Sequence, residues 1–125
     1  PAPDAPFQDS VTRFERCNLI RVNCVVDGDT FWFHGVKIRL AGVDAPETGS
    51  PSCSNEQELG IQATSLLVEF LNAGPFDLER SAGSRRDRYG RELFLLKRDQ
   101  VDLGEQLIGR GLAHRWTGRK QPWCN

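Results

Sequence analysis

Three short segments concentrate carboxylates and arginines in turn-rich surroundings. They are Asp27-Gly28-Asp29-Thr30, Arg39-Leu40-Ala41-Gly42-Val43-Asp44-Ala45-Pro46-Glu47 and Asp87-Arg88-Tyr89-Gly90-Arg91. Hard cations such as calcium take several oxygen ligands, carboxylates and backbone carbonyls among them, which makes Asp27, Asp29 and Asp44 metal candidates. Glu47 follows Pro46, whose ring stiffens the segment and helps hold the carboxylate near the aspartates. A carboxylate in a crowded anionic site rises in pKa and can act as a general base toward water. Arg39 and Arg91 suit a phosphate, because phosphodiester hydrolysis builds charge on oxygens that guanidinium groups and a cation neutralise. Together these are the parts for holding a hard cation beside a phosphate and cleaving a phosphodiester. Singly, each has an ordinary structural explanation: Asp-Gly is common turn chemistry, and a lone arginine is usually a surface ion-pair partner. No Ser-His-Asp or Cys-His arrangement competes. His34 falls in a turn, His114 lies near the end, and no soft transition-metal site is present.

The elements that position these residues read as mixed β and α. From Leu19 to Val43 the pattern is β: Val25-Val26 leads into the Asp27-Gly28-Asp29 turn, and Phe31-Trp32-Phe33 follows. Past His34-Gly35, the apolar Val36, Ile38 and Leu40 alternate with Lys37 and Arg39, as a half-buried strand requires. Arg39 is then expected on a wet face. The spacing predicts a helix from Ser54, with a Ser-x-x-Gln capping box to Gln57, ending at Asn72-Ala73-Gly74-Pro75. Phe76–Glu79 and Glu92–Lys97 read as two more strands joined by an arginine-rich loop. A second helix fits 102–110, capped by Asp102 and ended by Gly111. The expected fold class is mainly β with α: a small five-stranded OB-type barrel with an inserted helix and a C-terminal helix. Residues 1–16, polar and proline-rich, are expected to form a flexible arm, and 17–125 a single domain.

The 125 residues carry a formal net charge of −1, so no global field gathers nucleic acid. The basic residues are 13 Arg and 3 Lys. Five of the arginines (Arg80, Arg85, Arg86, Arg88 and Arg91) fall within 80–91 against one acid, Asp87, which makes the positive charge local. No apolar run reaches the roughly 20 residues of a membrane span. The chain begins Pro1-Ala2-Pro3 and has no methionine, so it is either a trimmed chain or a mature protein after signal cleavage. Cys17, Cys24, Cys53 and Cys124 lack the close pairing of zinc sites. Disulfides, and a periplasmic or secreted location, are the expectation. Three pairings are possible. The preferred one is 17–24 with 53–124, because Cys53 and Cys124 both fall in loop-like sequence. Cys17 and Cys24 need a bend between them, since a continuous strand would hold them ~23 Å apart.

The three opening segments, in this order and at these separations, closely resemble the thermonuclease (staphylococcal-nuclease-like) family. The similarity runs from about Cys24 to Ala113. The resemblance implies an OB-fold, calcium-dependent endonuclease with little sequence specificity that cleaves DNA and RNA at the P–O5′ bond. By the same resemblance Asp29 and Asp44 bind calcium through carboxylates and Ala45 through its carbonyl, with Asp27 supporting them indirectly. Arg39, Glu47 and Arg91 are catalytic, and Arg88 and Tyr89 bind a terminal phosphate. There are departures. Ala45 replaces a threonine, and the base-flanking aromatic positions fall near Thr117 and Arg119, leaving Trp116 or Trp123 to stack on a base. The chain ends where the prototype continues into a third helix, and it lacks the prototype's basic charge. A monomer acting on DNA and RNA, with no membrane partner, is expected. The rival readings are a noncatalytic nucleic-acid or protein-binding module on the same barrel, which intact Arg39, Glu47 and Arg91 argue against, and a structural metal domain, which leaves the arginines unexplained.

Overall fold

Alternating apolar residues build one curved sheet, and two amphipathic helices cover its inner face. The computed structural model describes residues 12–80 and 85–124. In chain order the strands are β1 (Glu15–Arg16), β2 (Cys24–Asp27), β3 (Thr30–Phe33), β4 (Val36–Leu40) and β5 (Val43–Asp44). Helix α1 (Ser54–Asn72), β6 (Asp77–Glu79), β7 (Glu92–Arg98), β8 (Val101–Asp102), α2 (Leu103–Gly109) and β9 (His114–Arg115) follow. The principal strands lie in the order β2-β3-β4-β7-β6, with β4 and β7 parallel and the other neighbours antiparallel. The fold is α+β, with the partly open barrel of the OB type. A separate two-stranded ribbon pairs β5 with β9.

The core follows from the pattern. Phe31, Ile38, Leu40, Phe94 and Leu96 point inward from the sheet and meet Ala63, Leu67 and Leu71 of α1 and Leu103 and Leu107 of α2. The β3–β4 turn is His34-Gly35, both at positive φ, the geometry that matches strand twist in a tight hairpin. Its register pairs Thr30 with Arg39, and the Leu40 N–H donates to the Asp29 carbonyl at 2.8 Å. Strand pairing therefore sets Asp29 beside Arg39.

Several expectations are corrected. Residues 12–16 are not a loose arm: Phe14 is buried among Phe31, Phe33 and Phe76, and Asn72 at the end of α1 exchanges two hydrogen bonds with the Phe14 backbone. Polar neighbours hid that single anchor. The part of the expected arm at 1–11 lies outside the described residues. Residues 18–23 are turns and bends rather than strand, and that bend brings Cys17 and Cys24 to 4.7 Å between Cα atoms, where they are bridged. Cys53 bridges Cys124. The N-cap of α1 is Cys53, not Ser54: its Sγ accepts from the Glu56 N–H at 3.5 Å. Asp102 caps α2 as expected, accepting from Gly104 and Glu105.

Phe14→Ala is expected to lower unfolding free energy by about 3–5 kcal/mol, the usual loss for a buried phenylalanine. Urea denaturation measures it, and a change within about 0.5 kcal/mol would mean that this segment is an arm after all.

Candidate functional site

Arg39 and the carboxylates of Asp29 and Asp44 form one buried cluster at the rim of the barrel. The Arg39 guanidinium lies 3.5 Å from Asp29 Oδ2 and 3.8 Å from Asp44 Oδ1. It also donates to the carbonyls of Leu40 and Val43 at 2.9 and 2.7 Å. It therefore leaves the core, as alternation requires, but points into a closed acidic nest and not to open water. Asp29 and Asp44 are 6% and 3% exposed. Both Asp29 oxygens are taken, Oδ1 by the Thr30 hydroxyl and Oδ2 by the Ala45 N–H at 2.7 Å. Asp44 Oδ1 accepts from Lys120 Nζ at 3.1 Å, while Asp44 Oδ2 is buried with no hydrogen-bond partner.

Lys120 had no signal in the sequence, because it meets Asp44 across 76 positions. Burial disfavours its charge, but the hydrogen bond and charge of Asp44, then the charges of Glu47 and Asp29, more than offset this and raise its pKa. Its ammonium thus stands among the carboxylates of the site.

Glu47 is half-buried and hangs on a segment fixed from both sides. Its own N–H donates to Glu56 Oε2 at 3.3 Å. The next residue, Thr48, gives its N–H and hydroxyl to Asp27 Oδ1 at 3.1 and 2.8 Å. Asp27 thus holds the Glu47 loop instead of joining Asp29 and Asp44. Burial pushes the Asp27 carboxyl above its ordinary range, and Thr48 restrains the rise. Helix α1 accepts this segment closely: a Cβ at Gly60 would stand 2.9 Å from the Glu47 carbonyl and 3.0 Å from that of Pro46.

Arg91 enters β7, and Glu92 beside it pairs with Ile38, next to Arg39. Its Nε lies 2.5 Å from Asp87 Oδ2. Burial acts to raise Asp87, but the N–H groups of Arg91 and Tyr89 and the Arg91 guanidinium prevail and hold it below the usual carboxylate range. Arg88 and Arg91 each place a guanidinium 5.3 Å from the centre of the exposed Tyr89 ring. The wider arginine run is less bare than its sequence reads, since Arg80 and Arg86 both pair with Glu92. Trp123 stacks on His114, whereas Trp116 is exposed just past β9, its N–H bonded to the Gly42 carbonyl.

For a divalent cation the fit is that of an open, two-carboxylate site. Among the described residues, no three Asp, Glu, His or Cys side chains converge as a ready cage. Asp29 and Asp44 do converge, and the orphan Asp44 oxygen is a buried acceptor that a hard cation would satisfy.

Glu56 also accepts from the Ser52 N–H at 2.7 Å. That bond leads the causes that lower its pKa, with Glu47 N–H adding to it against burial. A depressed carboxyl stabilises the fold above its unfolded value, about 4.3 for glutamate, and loses that stabilisation as pH falls through its folded value. Glu56→Gln is therefore expected to destabilise by about 1–2 kcal/mol at pH 7, with the gap closing below about pH 4. Urea titrations at several pH values test this. A gap unchanged at pH 3 would show that the charge is irrelevant.

The staphylococcal nuclease homologue family matches residues 37–123. Among similar proteins, Endonuclease YncB of Bacillus subtilis (strain 168) is 37% identical over 98 residues, covering 75% of this chain and 46% of that protein. The Succinoglycan biosynthesis protein ExoI of Rhizobium meliloti (strain 1021) is 36% identical over 94 residues, covering 71% and 48%. The Thermonuclease of Staphylococcus intermedius is 32% identical over 120 residues, covering 93% and 67%. The chain thus spans about half the length of the first two. With 87 of its 125 residues matched, the chain belongs to the staphylococcal nuclease family.

Proposed function

We propose that this domain is a calcium-dependent endonuclease that hydrolyses DNA and RNA with little sequence preference. The observation that carries the reading is the buried Arg39–Asp29–Asp44 cluster with its unpartnered Asp44 oxygen, in a chain of this family. Two relatives are named as nucleases, and the substrate class follows them. Two disulfides support an oxidising compartment, the periplasm or outside the cell.

Asp29, Asp44 and the Ala45 carbonyl would hold the ion. Bound calcium supplies positive charge to a phosphoryl oxygen. Arg39 and Arg91 contribute fixed positive charge to the phosphate as its bond to the 5′ oxygen breaks. Glu47 takes a proton from, or orients, the attacking water, and the departing 5′ oxygen gains a proton to leave a 5′-hydroxyl and a 3′-phosphate. Arg88 and Tyr89 receive a terminal phosphate, and the exposed Trp116 offers a stacking face to a base.

Plasmid nicking and single-strand cleavage with calcium, magnesium or chelator test this. Calcium-dependent cleavage leaving 5′-hydroxyl ends is expected. Arg39→Ala, Glu47→Ala and Arg91→Ala should each lower single-turnover rates by about 10²–10³, and together less than additively. Asp44→Ala should weaken calcium binding more than Asp27→Ala, since Asp27 is occupied with Thr48. Undiminished cleavage in excess chelator would end the metal reading. Wild type no faster than the triple variant with calcium would make this a binding module.

Lys120 pairs with Asp44 Oδ1, so its positive charge opposes a cation arriving at the neighbouring orphan Oδ2. Lys120→Gln is expected to tighten calcium binding by roughly fivefold in calorimetry, equivalent to about 1 kcal/mol for a mostly solvated ion pair. Equal or weaker binding would show that Lys120 leaves the ion's place open.

A further inference from the structure

One cleft, of about 370 Å³, opens directly beside the Glu47 loop. Its lining brings Asp27, Glu47 and Thr48 together with Arg16 and Arg21. Both arginines are exposed, and among the described residues no carboxylate pairs with either, although two carboxylates line the same cleft. They contrast with Arg39, Arg80, Arg86 and Arg91, each of which has an acidic partner.

Their backbone is fixed. Arg16 lies in β1, paired with Val25 of β2, and the Cys17 N–H donates to the Val25 carbonyl at 2.9 Å. Arg21 lies in the loop that the Cys17–Cys24 bridge closes. A polyanion crossing the site meets the negative charges of Asp27 and Glu47, and these two guanidiniums add positive charge to the same cleft, beside that of Lys120. Arginine also suits a phosphate better than lysine, because its fork donates two parallel hydrogen bonds. Leu19 and Ile20, at the tip of the same loop, are 95% and 82% exposed. They offer apolar surface to unstacked bases, which a single strand has and a duplex does not.

We propose that this cleft is a second phosphate subsite, in which Arg16 and Arg21 bind the backbone of a single-stranded nucleic acid as it passes Glu47. The inference rests on the nuclease reading above and assigns it a strand path. It also lets a chain of net charge −1 hold a polyanion by local charge alone.

The test is binding of fluorescein-labelled (dT)12 in EDTA, where cleavage is suppressed, followed by anisotropy across salt concentrations. Each phosphate contact to a single strand contributes roughly 0.7 to the slope of log affinity against log salt. The Arg16→Gln/Arg21→Gln protein should lose about 1.4 from that slope and roughly tenfold in affinity at low salt. A control pair of equal charge loss, Lys37→Gln/Arg110→Gln, should change the slope much less. Near-UV circular dichroism confirms that both proteins are folded. A slope equal to wild type, or one lowered as much by the control pair, overturns the subsite and leaves the nuclease reading standing. No binding of (dT)12 by the wild type in EDTA also overturns the subsite, while the nuclease reading stands or falls with the calcium cleavage assay.

Discussion

Two buried carboxylates share one half-buried guanidinium, and much of the rim is arranged around that imbalance. Moving a charge out of water carries a penalty of several kcal/mol unless it is paired and hydrogen-bonded. Asp29 meets the condition through Arg39, the Thr30 hydroxyl and the Ala45 N–H. Asp44 does so only by half: one oxygen has Lys120 and the edge of Arg39, and the other has nothing. A site whose last oxygen is left unsatisfied retains attraction for a further cation. Electrostatic preorganisation of this kind is set during folding, through the β3–β4 register that lays Asp29 against Arg39 and the short β5 that presents Asp44.

Glu47 depends on a different device. It sits on neither a strand nor a helix, so its position is delegated to neighbours. Asp27 holds Thr48, Glu56 holds the Glu47 N–H, and Gly60 gives the loop room to lie against α1. The other Glu56 oxygen, Oε1, accepts from the Ser52 N–H just before α1, so the helix start and placement of the Glu47 carboxylate share one side chain. Loss of Glu56 would register in both stability and site geometry.

What was legible in the sequence follows from range. Helix α1, the cap of α2, the alternating strand β4 and the Asp-Gly turn are encoded within about ten residues of themselves, and they read correctly. The nearness of Asp29 to Arg39 was also accessible, because hairpin pairing is local, whereas Asp44 stands on β5, which pairs with the distant β9. Apart from Cys53 and Cys124, which their loop-like settings marked, partners distant in sequence left no trace: Lys120 on Asp44, Phe14 in the aromatic core, and Asn55 Nδ2 donating to the Trp123 carbonyl. The arginine run misled for a related reason. Glu92, which neutralises two of its members, lies one residue beyond the charged stretch and acts through side-chain reach, not through pattern. Cys53 as an N-cap was hidden because cysteine is not among the preferred cap residues, and Ser54 next to it is the better candidate by type.

The two disulfides fall where burial cannot do the holding. A residue that must face a polyanion stays in water, so its backbone receives little stabilisation from the core. Arg21 stands on a loop whose apolar tip is exposed, and Lys120 on a C-terminal stretch that is mostly exposed from Arg115 to Gln121. Each segment is instead fixed covalently at its edge, by Cys17–Cys24 in one case and Cys53–Cys124 in the other. In the chain-entropy account, closing loops with sequence separations of 7 and 71 restricts the unfolded chain by about 2 and 4 kcal/mol respectively. The longer bridge also joins the N-cap of α1 to the residues that follow Lys120. Through Glu56, that helix end is the one that holds the Glu47 N–H, so a single cross-link ties the counter-cation of Asp44 to the support of Glu47.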